Sequence, residues 1–417
     1  MKDTELYQQI LGLAAPWTVA RVDLNVKEQR VDVFAEHGRK KTWPCPECGK
    51  DCGLHDHDEE RTWRHLDSCQ FQTFLHARIP RVRCDDHGVK QVRVPWAEPK
   101  SRFTLLFEHL AIDVLQHTDV LGAAKILRIS WDEAHGIMDR AVARGMARRE
   151  HRVPKRIGVD EKSLARGHRF ATVVADLDGP NGPCVLDLAE GRTKEALVRC
   201  FGRFSIRELE ENIDVVAMDM SGPYISVVRS LIGGEKIVFD RFHIMMHMNE
   251  AVDLVRRREN RALRADGDDT LVGSKHMWLY GRENVPDRYA VQFAELRNAN
   301  LRTARAWAIK EMLRDLWDRS SEAAAKRWYA DWRSWATRCR LEPVRKVAAM
   351  IHRHLPNVLS YFTNAVTNAA SEAINSTIQM IKKRAFGFRS FPNFRVSVLF
   401  RCGGLDLYPR FATHPKA

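Results

Sequence analysis

The sequence predicts a mixed α/β domain, preceded by a cysteine-rich lobe and a three-helix bundle and interrupted by a long helical stretch. Three observations predict it. Short apolar runs separated by turn residues lie between Arg156 and Phe239. Cysteine and histidine concentrate between Trp43 and His87. From Arg241 to about Tyr361 the chain is charged and helical in pattern, with no convincing strand.

The elements follow in order. Thr18–Phe34 alternates apolar and polar residues around Lys27-Glu28-Gln29, the pattern of a β-hairpin. Pro95–Pro99 reads as a linker. Phe103–His117, Val120–Arg128 and Trp131–Arg144 read as three helices, with Thr118-Asp119 and Ser130 as caps. Beyond Pro154, Arg156–Asp160, Phe170–Leu177 and Cys184–Ala189 are strands separated by turns such as Asp178-Gly179-Pro180. Thr193–Phe204 is a helix with Thr193 as its cap. Val215–Met218 and Ile237–Phe239 are buried strands. Strand, strand, strand, helix, strand, helix, strand makes a mixed sheet whose first three strands can form an antiparallel meander. The tryptophans of the helical stretch fit a core better than a base-stacking platform, with Trp278 the better stacking candidate. Phe391–Gly404 closes the chain as another helix.

Composition narrows the class. The chain has 417 residues, enough for two or three domains. Lys and Arg number 67 against 54 Asp and Glu, a net charge of +13 that favours a polyanionic partner. No apolar run approaches the ~20 residues that span a bilayer, and the N-terminus MKDTELYQQI lacks signal-peptide features. A cytoplasmic, reducing location with no membrane partner is therefore expected. In that compartment the nine cysteines are free or metal-bound rather than paired.

Candidate chemistry sits in four places. Asp160 ends the first sheet strand and Asp219 the fourth, so the two carboxylates come side by side if those strands are neighbours. With a third carboxylate from a packed helix they could hold two divalent cations, magnesium or manganese, for in-line phosphoryl displacement. Glu372 supplies that carboxylate in NAASEAINSTIQMIKKRAFGFRSFPNFR. There Ile374, Ile378 and Ile381 form an apolar stripe, while Asn368, Glu372, Asn375, Gln379 and Lys382 share the opposite face. Read alone, this segment equally fits an amphipathic surface helix with a basic end. Glu161 should face away from Asp160, Asp178 fits a turn, and Asp176 stays a competing acid. Cys45 and Cys48, spaced as a zinc knuckle, match Cys84 and His87 as a closed structural zinc site; Cys52, His55, His57, His65 and Cys69 could substitute as ligands. The third helix of the bundle would enter a major groove, bringing Arg140 and Arg144 to DNA. Asp240-Arg241-Phe242-His243 comes after the last strand, where His243 either touches a phosphate or flanking base, or holds a helix start.

Taken together these motifs resemble the ISL3 family of bacterial insertion-sequence transposases. The resemblance rests on CPECG with RVRCDDHG, RIGVDEKS with GHRFATVVADLD, LDLAEGRTKEAL, AMDMSGPY, IVFDRFHIMMHMNEAV and the Glu372 segment, and it covers nearly the whole chain. It implies a zinc-binding region, a helix-turn-helix and an RNase H-like core of the DDE type, with an all-α insertion between the second Asp and the Glu. The implied divisions are an N-terminal hairpin region (1–40), zinc-binding domain (41–98), helix-turn-helix (99–152), core (153–250), insertion (251–360) and returning core (361–417). Asp160, Asp219 and Glu372 fall on the catalytic positions, with two magnesium ions, and Asp240 and His243 on a supporting Asp-x-x-His element. Where family members usually end the zinc motif in a second Cys-x-x-Cys, this chain has Cys84 and His87, still compatible with one zinc. The expected activity is binding of terminal inverted repeats, metal-dependent cleavage and strand transfer to target DNA by an assembly of at least two copies. Asn375, Gln379, Lys382, Lys383, Arg384 and Arg389 would line the DNA. The competing functions are a transposase-derived regulator that binds without cutting, and a nuclease without strand transfer.

Overall fold

The computed structural model describes residues 2–39, 42–165, 169–364 and 369–410; Asn368 lies outside them. The chain forms two units, Met1–Glu150 with Leu399–Ala417, and His151–Val398.

In the first unit, helix α1 (Asp3–Ile10) precedes strands β1 (Trp17–Asn25), β2 (Arg30–His37), β3 (Thr42–Pro44), β4 (Asp51–Arg64), β5 (Gln72–Cys84) and β6 (Gly88–Gln91). The sheet order is β1-β2-β5-β4-β3, with β6 on β5. β1 and β2 make the expected antiparallel hairpin, and β2 then pairs in parallel with β5. The hairpin and the cysteine-rich lobe thus share one sheet. Its core is a tryptophan cluster: Trp96 meets Trp17 at 4.8 Å and Trp63 at 5.5 Å, both edge to face, a geometry aromatic quadrupoles favour.

Helices α2 (Leu105–His117), α3 (Val120–Leu127) and α4 (Trp131–Arg148) come next. Thr104, Asp119 and Ser130 cap them, each accepting a backbone N–H of the first turn. Ala111, Ile112, Leu115, Ala123, Ile137 and Ala141 fill the bundle centre. Arg401 donates to the carbonyls of Gln116 and Leu115 at 2.8 and 2.9 Å, satisfying acceptors that the end of α2 leaves open.

The second unit is built on strands β7 (Arg156–Ala165), β8 (Arg169–Asp176), β9 (Cys184–Glu190), β10 (Val215–Met218) and β11 (Ile237–Phe239). Their order is β11-β10-β7-β8-β9. β7, β8 and β9 form an antiparallel meander, while β10 is parallel to both β7 and β11. Ile157, Val159, Val216, Met218, Ile237 and Phe239 are buried in one cluster with residues of α5 (Lys194–Cys200), α6 (Ile206–Asn212) and α7 (Gly222–Leu231). These apolar strand residues fix the sheet, and so fix where Asp160 on β7 and Asp219 just past β10 emerge from it.

From α8 (Arg241–Ala265) the chain is helical through α9 (Asp287–Asn298), α10 (Arg302–Arg314), α11 (Glu322–Arg338), α12 (Glu342–Arg353), α13 (Leu355–Leu359) and α14 (Tyr361–Asn364). No strand occurs among the described residues of this stretch. Trp278 is fully buried, donates to Ser274 Oγ at 3.2 Å and packs edge to face on Phe293. It is a core residue, not a base-stacking one. Trp332 is equally buried and donates to the Ile309 carbonyl at 2.9 Å. Helices α15 (Ala369–Arg384) and α16 (Phe391–Cys402) end the fold. Among the described residues, no helix is long and apolar enough to cross a membrane.

Candidate functional site

The acidic site begins with β7. Ile157 and Val159 point into the core, so alternation puts Gly158 and Asp160 on the other face. Register pairs Met218 with Val159, and Asp219 is therefore the next residue alongside Asp160 at the end of a parallel pair. The expected adjacency of the two carboxylates is present, although Asp160 does not end its strand: β7 continues to Ala165. Burial raises the pKa of Asp219; His243 and the Ser221 amide oppose that shift, and the charge of Asp160 adds to it. The Ser221 amide donates to Asp219 Oδ1 at 3.1 Å. Asp240 caps α8 by accepting the Phe242 amide at 2.7 Å, and its own amide donates to the Met218 carbonyl at 3.0 Å. His243 Nε2 stands 4.0 Å from Asp240 Oδ2. Glu161 also belongs to this neighbourhood: burial and then the charge of Asp219 raise its pKa, against Arg192 at 3.8 Å.

Helix α15 lies along β7. Its stripe of Ile374, Ile378 and Ile381 is buried as the spacing predicts. A Cβ on Gly158 would stand 3.0 Å from Ser371 Oγ, so the missing side chain lets the helix approach. One turn on, Asn375 Nδ2 donates to Asp160 Oδ2 at 2.6 Å. At the far end Lys382 Nζ donates to the Ser163 carbonyl. From Ser371 to Lys382 the helix rises ~16 Å and from Gly158 to Ser163 the strand advances ~16 Å, so these contacts keep step. Glu372 is exposed in the first turn, between Ser371 and Asn375. Its carboxylate has no hydrogen-bond or ion-pair partner among the described residues. Asp160, Asp219 and Glu372 do not close to within 4.8 Å of one another, the spacing that the cysteines and histidine of the first unit reach. The donor set is nonetheless hard oxygen throughout, the chemistry that suits magnesium or manganese.

Cys45, Cys48, Cys84 and His87 do converge, all ligand atoms lying within 4.8 Å. Cys48 Sγ is 3.8 Å from Cys84 Sγ, and His87 Nδ1 is 3.5 Å from Cys84 Sγ and 3.9 Å from Cys45 Sγ. Four tetrahedral ligands about 2.3 Å from zinc stand ~3.8 Å apart, so this group fits the ion with little movement. The Gly49 amide closes the knuckle on the Cys45 carbonyl at 2.9 Å, with Gly49 at φ +75°. Cys52 lies outside the four; burial and Cys84 push its thiol up to about 11. The three nearby histidines have partners elsewhere: His57 meets His37, His55 meets Arg83, and His65 meets Thr104. Cys69 is exposed.

Of the expected DNA-facing residues, Gln379 and Lys383 are exposed and line a hollow of about 450 Å³ with Asn375, Ser376 and Met380. Arg384 and Arg389 are exposed as well. Asn375 and Lys382 are half-buried through their contacts to β7. On α4, Arg144 has a side chain only 7% exposed, forks onto Glu98 at 2.8 and 2.6 Å, and reaches buried Glu108 at 3.0 Å. Arg140 also pairs with Glu108, at 2.6 Å, and keeps 33% of its side chain in solvent. The sequence pattern did not single out Lys162, whose Nζ lies 2.8 Å from Asp160 Oδ2. The signal was there, since residues two apart in a strand share a face.

Comparison with known proteins bears on each part. A family model described as "Transposase" matches residues 157–398. Models described as the zinc-finger of transposase IS204/IS1001/IS1096/IS1165 and the helix-turn-helix domain of transposase family ISL3 match residues 41–87 and 92–142. The chain is similar to the transposase for insertion sequence element IS1557 of Mycobacterium tuberculosis, at 28% identity over 89% of this chain and 88% of that protein. It is also similar to the transposase for insertion sequence element IS1001 of Bordetella parapertussis, at 26% identity over 86% of this chain and 88% of that protein.

Proposed function

The chain belongs to the ISL3 family of transposases, and from that premise we propose that it cuts and joins DNA at a DDE-type site formed by Asp160, Asp219 and Glu372. The observation that carries the proposal is the meeting of β7, β10 and α15. Asp160 on β7 and Asp219 just past β10 lie where the parallel pairing of the two strands ends, and Asn375 ties the Glu372 helix to Asp160. The five-stranded sheet, with its meander followed by parallel strands, is the arrangement an RNase H-like core requires. The helices between α8 and α14 would be the insertion.

Asp160, Asp219 and Glu372 would hold two magnesium or manganese ions, which when bound activate a nucleophile and stabilise the leaving oxygen of an in-line displacement. The chain's own groups do the rest. Asn375 fixes the orientation of Asp160. His243 and Asp240 flank Asp219 and would support it or touch the phosphate. Lys382, Lys383, Arg384 and Arg389 would hold phosphates along α15, with Gln379 beside them. The zinc lobe and the α2–α4 bundle would bind the terminal inverted repeats, with the part-exposed Arg140 of α4 reaching DNA, while Arg144, buried on Glu98 and Glu108, would hold the bundle instead. Two copies or more would pair two ends before target DNA is joined.

The test supplies labelled 3′-hydroxyl ends, a target plasmid and magnesium. Joined products are expected. Cuts without joining would leave a nuclease, and retention without cutting would leave a DNA-binding regulator.

A further inference from the structure

We propose that Lys162 is an internal counter-ion that holds Asp160 in the cation-free protein and passes to a DNA phosphodiester when that carboxylate takes up its metal. This rests on the assignment of Asp160 as a metal ligand.

Asp160 is crowded with donors. Its Oδ1 accepts the Glu161 amide at 2.7 Å. Its Oδ2 accepts both the Asn375 amide at 2.6 Å and the Lys162 ammonium at 2.8 Å. A carboxylate oxygen has two lone pairs, so Oδ2 is saturated. A divalent cation on either oxygen would stand a few ångströms from the ammonium, with like charges and little water between. Oδ1 keeps a free lone pair for the cation, but the like charge of the ammonium favours that donor's departure when the cation binds.

The donors differ in how freely they can leave. The Glu161 amide is backbone. Asn375 rides on α15, which the buried Ile374, Ile378 and Ile381 anchor. Lys162 carries its charge on a flexible four-carbon stem, and its side chain is 13% exposed, close to solvent but not in it. Lys162 is the donor that can move.

Its destination is set by charge. Lys382 lies on the same side: burial, and then the charge of Lys162, lower its pKa. Lys382 itself donates to the Ser163 carbonyl, so Lys162 is the ammonium that sits on the carboxylate, with a second positive charge nearby. Once a cation occupies that carboxylate, Lys162 has lost its counter-charge at the mouth of the site. A backbone phosphate entering beside the metal replaces it, whatever the base sequence. Metal and DNA would then bind cooperatively, each removing an obstacle to the other.

The test measures manganese binding to the zinc-loaded full-length protein, reading free Mn²⁺ by electron paramagnetic resonance, with and without a short duplex of arbitrary sequence. Lys162→Met keeps the stem and removes the charge. Without DNA it should bind Mn²⁺ about tenfold more tightly than the unaltered protein, and DNA should improve its affinity about tenfold less than it improves that of the unaltered protein. Equal or weaker Mn²⁺ binding by Lys162→Met overturns the proposal. Asp160→Asn separates the two levels: if Mn²⁺ affinity is unchanged there, the metal-ligand assignment itself fails. If affinity is lost there yet Lys162→Met changes nothing, only the role of Lys162 fails. The unaltered protein gives a second measurement that no folding defect can obscure. Acetylation of Lys162, followed by mass spectrometry, should be slow in the free protein, about tenfold faster with Mn²⁺, and slow again once duplex is added. Labelling unaffected by Mn²⁺ overturns the proposal equally.

Discussion

Replacing Glu372 by Gln is expected to lower magnesium-dependent nicking of element-end DNA about a thousandfold, while end binding stays within about twofold. Glu372 is the cleanest of the three acids to change. It is exposed and makes no hydrogen bond or ion pair among the described residues. Substitution of such a surface group by its isostere usually shifts stability by no more than about 0.5 kcal/mol. Asp160→Asn would also disturb Lys162 and the grip of Asn375. Asp219→Asn would change a carboxylate whose pKa burial has raised. A loss in Glu372→Gln therefore reports on ligation rather than on the sheet. Retention of full nicking, measured on one labelled end with the protein shown to bind it, would remove Glu372 from the site.

Zinc removal is the second large effect. Chelation, or Cys45→Ser, is expected to weaken binding of end DNA by about a hundredfold or more and to abolish the first cooperative step of thermal unfolding. The physical ground is that structural zinc contributes roughly 10–16 kcal/mol to small domains, against a total stability of about 5–15 kcal/mol for ordinary ones. Cys45 and Cys48 belong to the β3–β4 knuckle, while Cys84 ends β5 and His87 lies in the turn before β6. The ion would clamp the β3–β4 knuckle to the β5–β6 hairpin. The second unit carries its own core and should unfold at an unchanged temperature. Zinc content, measured by metal release, should be one per chain. A chelated protein that binds ends normally would make the lobe dispensable for recognition.

Much of the acidic site was legible because its strands obey simple rules. Val215–Met218 and Ile237–Phe239 appear where short, wholly apolar runs between turns place them. β7 runs on to Ala165, past the expected end at Asp160, because β8 pairs with it as far as Arg169 although the residues turn polar. The long strands β4 and β5 were not legible. His55–Thr62 is polar on both faces, and its pairing to β5 is decided by long-range partners rather than by local alternation. The zinc group was legible from ligand spacing, since two turns bring two pairs together. Helical periodicity gave the faces of α15 but not its register on β7. That register is set by the bare backbone of Gly158, and it puts the Asn375 amide, expected to face DNA, on Asp160. The partners of Arg140 and Arg144 were hidden for a similar reason, since Glu98 and Glu108 precede them by more than thirty residues.

Whether Asp160, Asp219 and Glu372 hold the same cations can be read directly from the polypeptide. Iron(II) bound in place of magnesium, with ascorbate and peroxide, cuts the backbone within a few ångströms of the metal. Cuts are expected in three places, next to Asp160 on β7, next to Asp219 after β10, and next to Glu372 in the first turn of α15, all lost on adding excess magnesium. Cuts near Asp160 and Asp219 with none near Glu372, or cuts clustered elsewhere, would contradict a shared three-carboxylate site.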